Sequence, residues 1–577
     1  MNKTLEKIIK ILVKIICICA IVCFAYSLTP KTFQNDTYYT IKIGEHIDRD
    51  TEHFYDLLPW NKGLDMKDHF SYHNLPYTYP HWLYDFLTYK IYSFGGFSGV
   101  YHATCILAIV LGISIYLVNI RFSKNDIVSF LFTIASLYAL KNFITARAQL
   151  ATFILFVCTI YGIEQFIKTK KIRYAILLII IPILIANLHC AVWPFYFVLY
   201  APYIAEWLCI SIATANYKII ADKIKLFYKT KIKRTKISEL QINIEKNKIR
   251  KAEKKHKENL EKNLEKTHKI RVVKESGIKW LVLLCIICAF TGLLTPLKGV
   301  PYTYLLKTNQ GNTTANISEH LPLTLINNEN MIIILVIIFG ILIFSKTKIK
   351  LRDFFMLMGL IALSFMSQRQ VSMLVVIGNF IVVRLVCGII DNIKQMLKVD
   401  ENSKSIREFN FAKILCTIVI AMSITIISFS NYLDKKNDVF VDEEDYPVAA
   451  AEFIKTELIP KIGIENLRLY NEYNYGSYLL FQEIPVFIDS RADLYAPEFN
   501  GNKDENGEYI GNDIFSDFIG ISRLSEDYEE KFEEYSITHV ITYSDSKLSS
   551  LLKNDDSYVL LYDDENFKIY ERVSIYG

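Results

Sequence analysis

Lys168-Thr-Lys-Lys-Ile-Arg-Tyr-Ala-Ile-Leu-Leu-Ile-Ile-Ile-Pro-Ile-Leu-Ile-Ala-Asn-Leu-His189 is a basic turn, a long apolar run and a polar exit at Asn187 and His189. An apolar run of about 20 residues is what a helix needs to cross a bilayer, and a basic flank marks its cytoplasmic end. Similar runs recur on both sides of it. They lie near 8–28, 99–119, 127–145, 148–167, 174–191, 193–213, 278–296, 331–346, 353–368, 371–390 and 412–430. The pattern predicts a polytopic α-helical membrane bundle of about eleven spans. The stretch 82–94 is apolar but aromatic and carries Asp85 and Lys90, so it reads as a helix lying in the interface. The first run follows Lys3 and Lys7, contains Lys10 and Lys14, and is not followed by a small-x-small cleavage site. It reads as an uncleaved anchor.

Composition agrees. Hydrophobic residues make up 52% of the 577, and mean hydropathy is +0.22. A soluble protein with a polar surface is excluded. Aromatic residues, 14% of the chain and mostly Tyr and Phe, suit long membrane–water boundaries. All eleven cysteines stand in or beside apolar stretches and none falls in 431–577. Cys17-Ile-Cys19 and Cys285-Ile-Ile-Cys288 sit inside spans, where packing is the expected role. Neither a disulfide framework nor a metal spacing is visible.

The net charge of +5 is segregated along the chain. With alternating spans, the basic stretches 3–14, 168–173, 217–275, 346–352 and 391–413 all fall on one side. That side is the cytoplasm by the positive-inside rule. The expected layout is a membrane bundle over 1–216 with a large outer loop at 29–98, and a basic cytoplasmic helical insertion at 217–276. A second part of the bundle follows at 277–431, and then an extracytoplasmic C-terminal α/β domain at 432–577. The insertion, with Lys229-Thr-Lys-Ile-Lys-Arg-Thr-Lys236, reads as a solvated helical hairpin beside an anionic leaflet. It has few interleaved aromatics, which argues against a nucleic-acid partner. In the last part, 467–470, 486–489, 539–543 and 558–562 read as short buried strands. They alternate with helices at 449–458, 475–482, 527–535 and 546–553. That alternation predicts a largely parallel sheet. No glycine-rich nucleotide motif occurs there.

This topology gathers unusual polar residues at the outer boundary. Asp36 follows the first span, and Asp68 stands in the same loop. Arg147 and Gln149 mark one outer turn, Asn187 and His189 another, and Glu319 and Arg369 two more. Asp489 and Arg491 belong to the soluble domain. Charges at a membrane boundary are costly and tend to be paired or functional. A carboxylate can take a proton from an attacking hydroxyl, and an arginine offers permanent bidentate contact to phosphate. Each residue also has a plainer reading. Asp36 ends a helix, Asp68 caps a segment, Arg147 and Arg369 snorkel, His189 packs, and Asp489 with Arg491 forms an internal ion pair.

Several stretches carry a family resemblance. Asp36-Thr-Tyr-Tyr-Thr-Ile-Lys-Ile-Gly44, Asp68-His-Phe-Ser-Tyr72, His81-Trp-Leu-Tyr-Asp85, Arg147-Ala-Gln149, Asn187-Leu-His189 and Ile317-Ser-Glu-His320 occur in order along the chain. Tyr475-Gly-Ser-Tyr-Leu479 and Phe487-Ile-Asp-Ser-Arg-Ala-Asp-Leu-Tyr495 follow. They resemble elements of large bacterial and archaeal membrane proteins of the glycosyltransferase C superfamily, apart from the basic insertion. The resemblance implies that an acid of the first outer loop, at the place of Asp36, is the catalytic base. It implies a polyprenyl-phosphate sugar donor, membrane lipids around the bundle, and a soluble domain that helps hold a glycan, lipid or protein acceptor. The departures are Tyr38, Tyr39 and Thr40, where the family has Trp, Trp and His, and Cys190, where it has Gly.

The expected activity is inverting hexosyl or pentosyl transfer on the outer face. Asp68 would be a second acid that orients the acceptor or holds a divalent cation, magnesium or manganese. Arg147 and Arg369 would steady the phosphate, with Gln149, Asn187, His189, Glu319, Asp489 and Arg491 in substrate contact. The rival reading is a non-catalytic membrane scaffold or surface-assembly protein. A transporter fits less well, because the acids sit at the boundary and no half-to-half repeat is visible.

Overall fold

The computed structural model describes residues 3–573, apart from 52–53, 59–60, 62, 214–216, 233–238, 268–269, 272–274, 276, 312–315, 325, 327, 346, 398–403 and 506–508. Parts of three basic stretches therefore lie outside the described residues, at 233–238, 268–269 and 272–274, at Lys346, and at 398–403. Among the described residues, six helices are long and apolar enough to cross a membrane. They are Lys7–Leu28, Trp82–Ser123, Ala148–Thr169, Cys190–Ile212, Gln368–Met396 and Phe411–Lys435. Four shorter apolar helices, Asp126–Ala139, Ile172–Leu188, Ile278–Leu293 and Met331–Phe344, pack among them. The shape is that of a multi-pass membrane protein. Ile106, Ile176, Leu283, Val336 and Ile426 stand exposed on its surface, as an apolar solvent permits. Hydroxyls inside the helices are satisfied locally, Thr104 by the Val100 carbonyl, Thr159 by that of Leu155 and Ser428 by that of Ile424. In lipid no water could do it for them.

The segment 82–94 is not a separate interfacial helix. It is the first half of Trp82–Ser123, a 42-residue helix broken at Gly96, whose φ of 58° and ψ of −154° only glycine adopts readily. Against it lies Asn35–Asp50, a helix not foreseen from the sequence. The two approach closely at Gly44, where an added Cβ would meet the Asp85 carbonyl oxygen at 2.1 Å and the Tyr89 Cβ at 2.6 Å. Gly44→Ala should therefore force these helices apart at a cost of about 1–3 kcal/mol. Thermal unfolding in detergent or nanodiscs measures this, and an unchanged midpoint would contradict the contact.

The C-terminal part carries a four-stranded sheet in the spatial order Leu469–Tyr470, His539–Tyr543, Phe567–Arg572, Tyr558–Asp563. Only the first pair is parallel; the other two are antiparallel, so the expectation of a largely parallel sheet is corrected. The last two strands form a hairpin, and Asp564 Oδ1 closes its turn by accepting from the amides of Asn566 and Phe567. The expected strand at 486–489 is absent. Asn471 takes the place of a neighbouring strand, accepting from Phe487 N at 2.8 Å and donating to Ile488 O at 2.7 Å.

One apolar core joins this part to the loop after the first span. Tyr38, Ile41, Leu75 and Tyr77 pack in the same cluster as Leu469, Leu479, Val486, Phe515, Ile541 and Ile569. Tyr38 meets Tyr446 and Tyr478 edge-on at 4.9 and 5.2 Å. At the opposite end of the bundle stand Tyr217–Phe227 and Glu239–Thr267, the helices of the basic insertion. Nearby, Arg352 is buried against Glu275 at 3.0 Å and against Glu164 and Glu206 at 3.6 Å.

Candidate functional site

The end of the bundle that carries the sheet domain holds a small cavity. Asp36, Arg147, Gln149, His189 and Arg369 line it, together with Tyr39, Thr40, His81 and Tyr84. Asp36 opens the first turn of Asn35–Asp50, where the helix dipole favours a negative charge. That helix start is tied to the sheet domain by Asn35 Nδ2, which donates to the Tyr473 carbonyl at 2.8 Å. Arg147 precedes Ala148–Thr169 in extended conformation, which aims its side chain back across the helix end. Its Nη2 reaches Asp36 Oδ2 at 2.9 Å, and its Nη1 lies 3.6 Å from Glu319 Oε1. Burial works against the Arg147 charge, but Asp36 and then Glu319 outweigh it and hold the guanidinium above its ordinary range.

Glu319 sits in the short turn Ser318–His320. Ser367 Oγ fixes that turn by donating to the Glu319 carbonyl at 3.1 Å, and Gln368 N donates to Leu321 O at 3.0 Å. The same contacts bring in Arg369, from the turn Gln368–Gln370. No carboxylate of the described residues lies within ion-pair distance of Arg369. Its charge is felt by the histidines around it. Burial and then Arg369 push His81 down to about 4, and the same two causes push His320 down to about 4. Both are neutral near pH 7, which leaves the two arginines as the site's cations. The His81 and His189 rings stand 4.8 Å apart, and His189 Nδ1 bonds Thr152 Oγ1 at 3.1 Å.

Arg369 also lines a second, larger and more open groove. One wall is apolar, formed by Leu323, Met331, Ile334, Val371 and Val375, and Glu319, Gln368 and Arg369 stand at its polar edge.

Three residues expected in substrate contact, and Asp68, expected as a second acid, are engaged elsewhere. Asn187 accepts from Trp82 Nε1 at 3.2 Å and donates to the carbonyls of Ile183 and Leu294 at 2.8 and 3.0 Å, so its amide is a brace. Asp68, Asp489 and Arg491 form a buried triad. Arg491 Nη1 donates to Asp68 Oδ1 at 2.7 Å, while its Nε and Nη2 grip Asp489 at 2.9 and 2.6 Å. Tyr495 donates to Asp489 at 2.6 Å, and Ser71 N to Asp68 at 2.9 Å. Burial opposes the Asp68 charge, but Arg491 and the Ser71 bonds hold its carboxyl below the usual carboxylate range. The triad joins the 29–98 loop to the sheet domain and leaves Asp68 no free oxygen for an acceptor or a cation.

Beside the triad, His73 Nε2 meets the Phe487 carbonyl at 2.9 Å, and burial pushes His73 down to about 4. Below about pH 6.5 an unfolded chain takes a proton that folded His73 refuses, so stability falls as pH drops from there toward 4. Thermal melts across that window should show the loss, and His73→Gln should flatten it; parallel curves would refute it.

Tyr39 and Thr40 were missed as lining residues. They stand three and four positions after Asp36, one helical face away, a spacing that carries meaning only once 35–50 is known to be helical. Asp493 was missed too. It accepts a hydrogen bond from Tyr304, and burial raises its carboxyl against the pull of Tyr304 and Arg369.

No family model matches the sequence, and no curated protein does. Among solved structures, the chain is similar to the archaeal oligosaccharyltransferase AglB from Archaeoglobus fulgidus, in complex with an inhibitory peptide and a dolichol-phosphate. The TM-score is 0.50 at 10% identity, over 98% of this chain and 74% of that one. An Archaeoglobus fulgidus oligosaccharyltransferase tethered with an acceptor peptide containing the NVT sequon gives a TM-score of 0.49 at 11% identity, over 100% and 75%. At such identity the likeness is one of fold alone, and the fold shared is that of this archaeal membrane protein.

Proposed function

We propose that the protein is a glycosyltransferase that moves a sugar from a polyprenyl-phosphate donor to an acceptor on the extracytoplasmic face. The observation that carries this reading is one small cavity holding the Asp36 carboxylate with the cations Arg147 and Arg369, beside an apolar groove. The polyprenyl chain lies along Leu323, Met331 and Val371, and Arg369 takes the phosphate as a charge-assisted pair. The orientation rests on the basic stretches at the far end of the bundle.

Arg147 Nη2 holds Oδ2 of Asp36, and Oδ1 is the oxygen assigned to the acceptor. The acceptor nucleophile attacks the anomeric carbon and its proton passes to Asp36. The bond from that carbon to the phosphate oxygen breaks, its electron pair stays on the oxygen, and polyprenyl phosphate leaves. A single displacement inverts the anomeric centre. Asp68, Asp489 and Arg491 act at one remove, by holding the loop that carries Asp36 against the sheet domain.

The test is transfer from radiolabelled polyprenyl-phosphate sugars by purified protein in lipid, with membrane extract as acceptor source. Arg369→Gln should raise the donor KM about 10- to 150-fold, the equivalent of about 1.5–3 kcal/mol for a hydrogen bond to a charged group. Absence of transfer by folded wild type from every donor would return the chain to the scaffold reading.

A further inference from the structure

Asp36 and Glu319 come from segments far apart in sequence, and the space between their carboxylates holds the Arg147 guanidinium, 2.9 Å from one and 3.6 Å from the other. Two facing acids are the usual beginning of a divalent cation site. Magnesium or manganese needs several oxygen ligands in near-octahedral array, and a fixed positive charge in the middle of the array opposes it. Among the described residues no group of three or more His, Cys, Asp or Glu side chains could hold a metal ion. Asp68, the other acid expected to take one, is occupied by Arg491 and Ser71. The acids of this site therefore do not fit a divalent ion.

Arg147 is built for the place. Its side chain is anchored at the first turn of a bundle helix, and its guanidinium spans the acids with two different nitrogens. Its charge does not titrate in the working range of proteins, and its planar fork fixes the orientation of Asp36.

We propose that Arg147 is the built-in cation of this site, bridging Asp36 and Glu319 where a divalent metal would otherwise sit, so that donor phosphate binding and sugar transfer need no added ion. The proposal rests on the transferase reading for its chemistry but not for its test. An enzyme of this kind keeps its full rate in a chelator. Arg147 positions Asp36 and neutralises the charge gathered when the donor phosphate enters beside the two acids.

The experiment uses the full-length protein in lipid nanodiscs and two readouts that need no turnover. Binding of manganese is followed by electron paramagnetic resonance in wild type and in Asp36→Asn. Binding of a short-chain polyprenyl phosphate is followed in excess EDTA and in millimolar magnesium. The expected result is no manganese population that Asp36→Asn removes, and phosphate-probe affinities within about twofold in the two buffers. A stoichiometric manganese signal lost in Asp36→Asn would overturn the proposal, as would a tenfold weaker probe affinity in EDTA. If the probe binds in neither buffer, the transferase reading fails while the manganese signal still decides the role of Arg147.

Discussion

Asp36→Asn should lower the rate of sugar transfer by about 10²- to 10⁴-fold, the usual contribution of a positioned general base. The substitution keeps the shape of the side chain and its place in the first turn of Asn35–Asp50. It removes the carboxylate proposed to take the acceptor's proton, and with it the ion pair with Arg147. That pair is partly open to solvent, so its loss should cost under about 1 kcal/mol of stability. The signature is thus a large fall in initial rate, at saturating donor and acceptor, with a nearly unchanged melting point. A variant that keeps transfer within tenfold of wild type would remove Asp36 from the chemistry.

The largest stability effect is expected at Arg491. Replacing it by leucine leaves Asp68 and Asp489 buried without their counter-charge, which in comparable cases costs about 3–5 kcal/mol. Because one partner belongs to the 29–98 loop and the other to the sheet domain, the loss should separate the two. Limited proteolysis near 432–446 should become rapid and the near-ultraviolet dichroism of the domain's tyrosines should fade. Survival of both would assign the hold to the apolar core alone. Acid should affect the wild type through the same contact. The folded carboxyl of Asp68 lies below its ordinary value, so its contribution is complete above about pH 4 and is lost as pH falls through the folded value. The stability gap between wild type and Asp68→Asn should therefore narrow only below pH 4.

Much of the site was legible because membrane topology does the sorting. Arg147, Gln149, His189 and Arg369 each stand at the end of an apolar run, and alternating spans put those ends on one side. The structure brings these four to one cavity with Asp36. What resisted reading depended on contacts distant in sequence. Residues 37–44 are buried on every face, so Asn35–Asp50 has no polar stripe to announce its helical period. Asp68 and Arg491 looked available because nothing local reveals that they meet. Asn471, a side chain standing in for a strand, made 486–489 look like part of a sheet. The terminal hairpin was different. Its Asp563-Asp-Glu-Asn566 turn was readable chemistry that the alternation of strands and helices obscured.

The shared core also sets a timetable for the protein's manufacture. Asp68 and Arg491 are 423 residues apart, so a ribosome working at roughly 5–20 residues per second completes the second about 20 to 85 seconds after the first. Throughout that interval the loop bearing Asp36 is already made, with Leu75 and Tyr77 awaiting the apolar surface that will cover them. A nascent chain stalled short of residue 446 is half a core with its greasy side open. It is a natural target for chaperones and for the proteases that clear unfinished membrane proteins. The loop that carries Asp36 thus reaches its folded shape only after the sheet domain has been made.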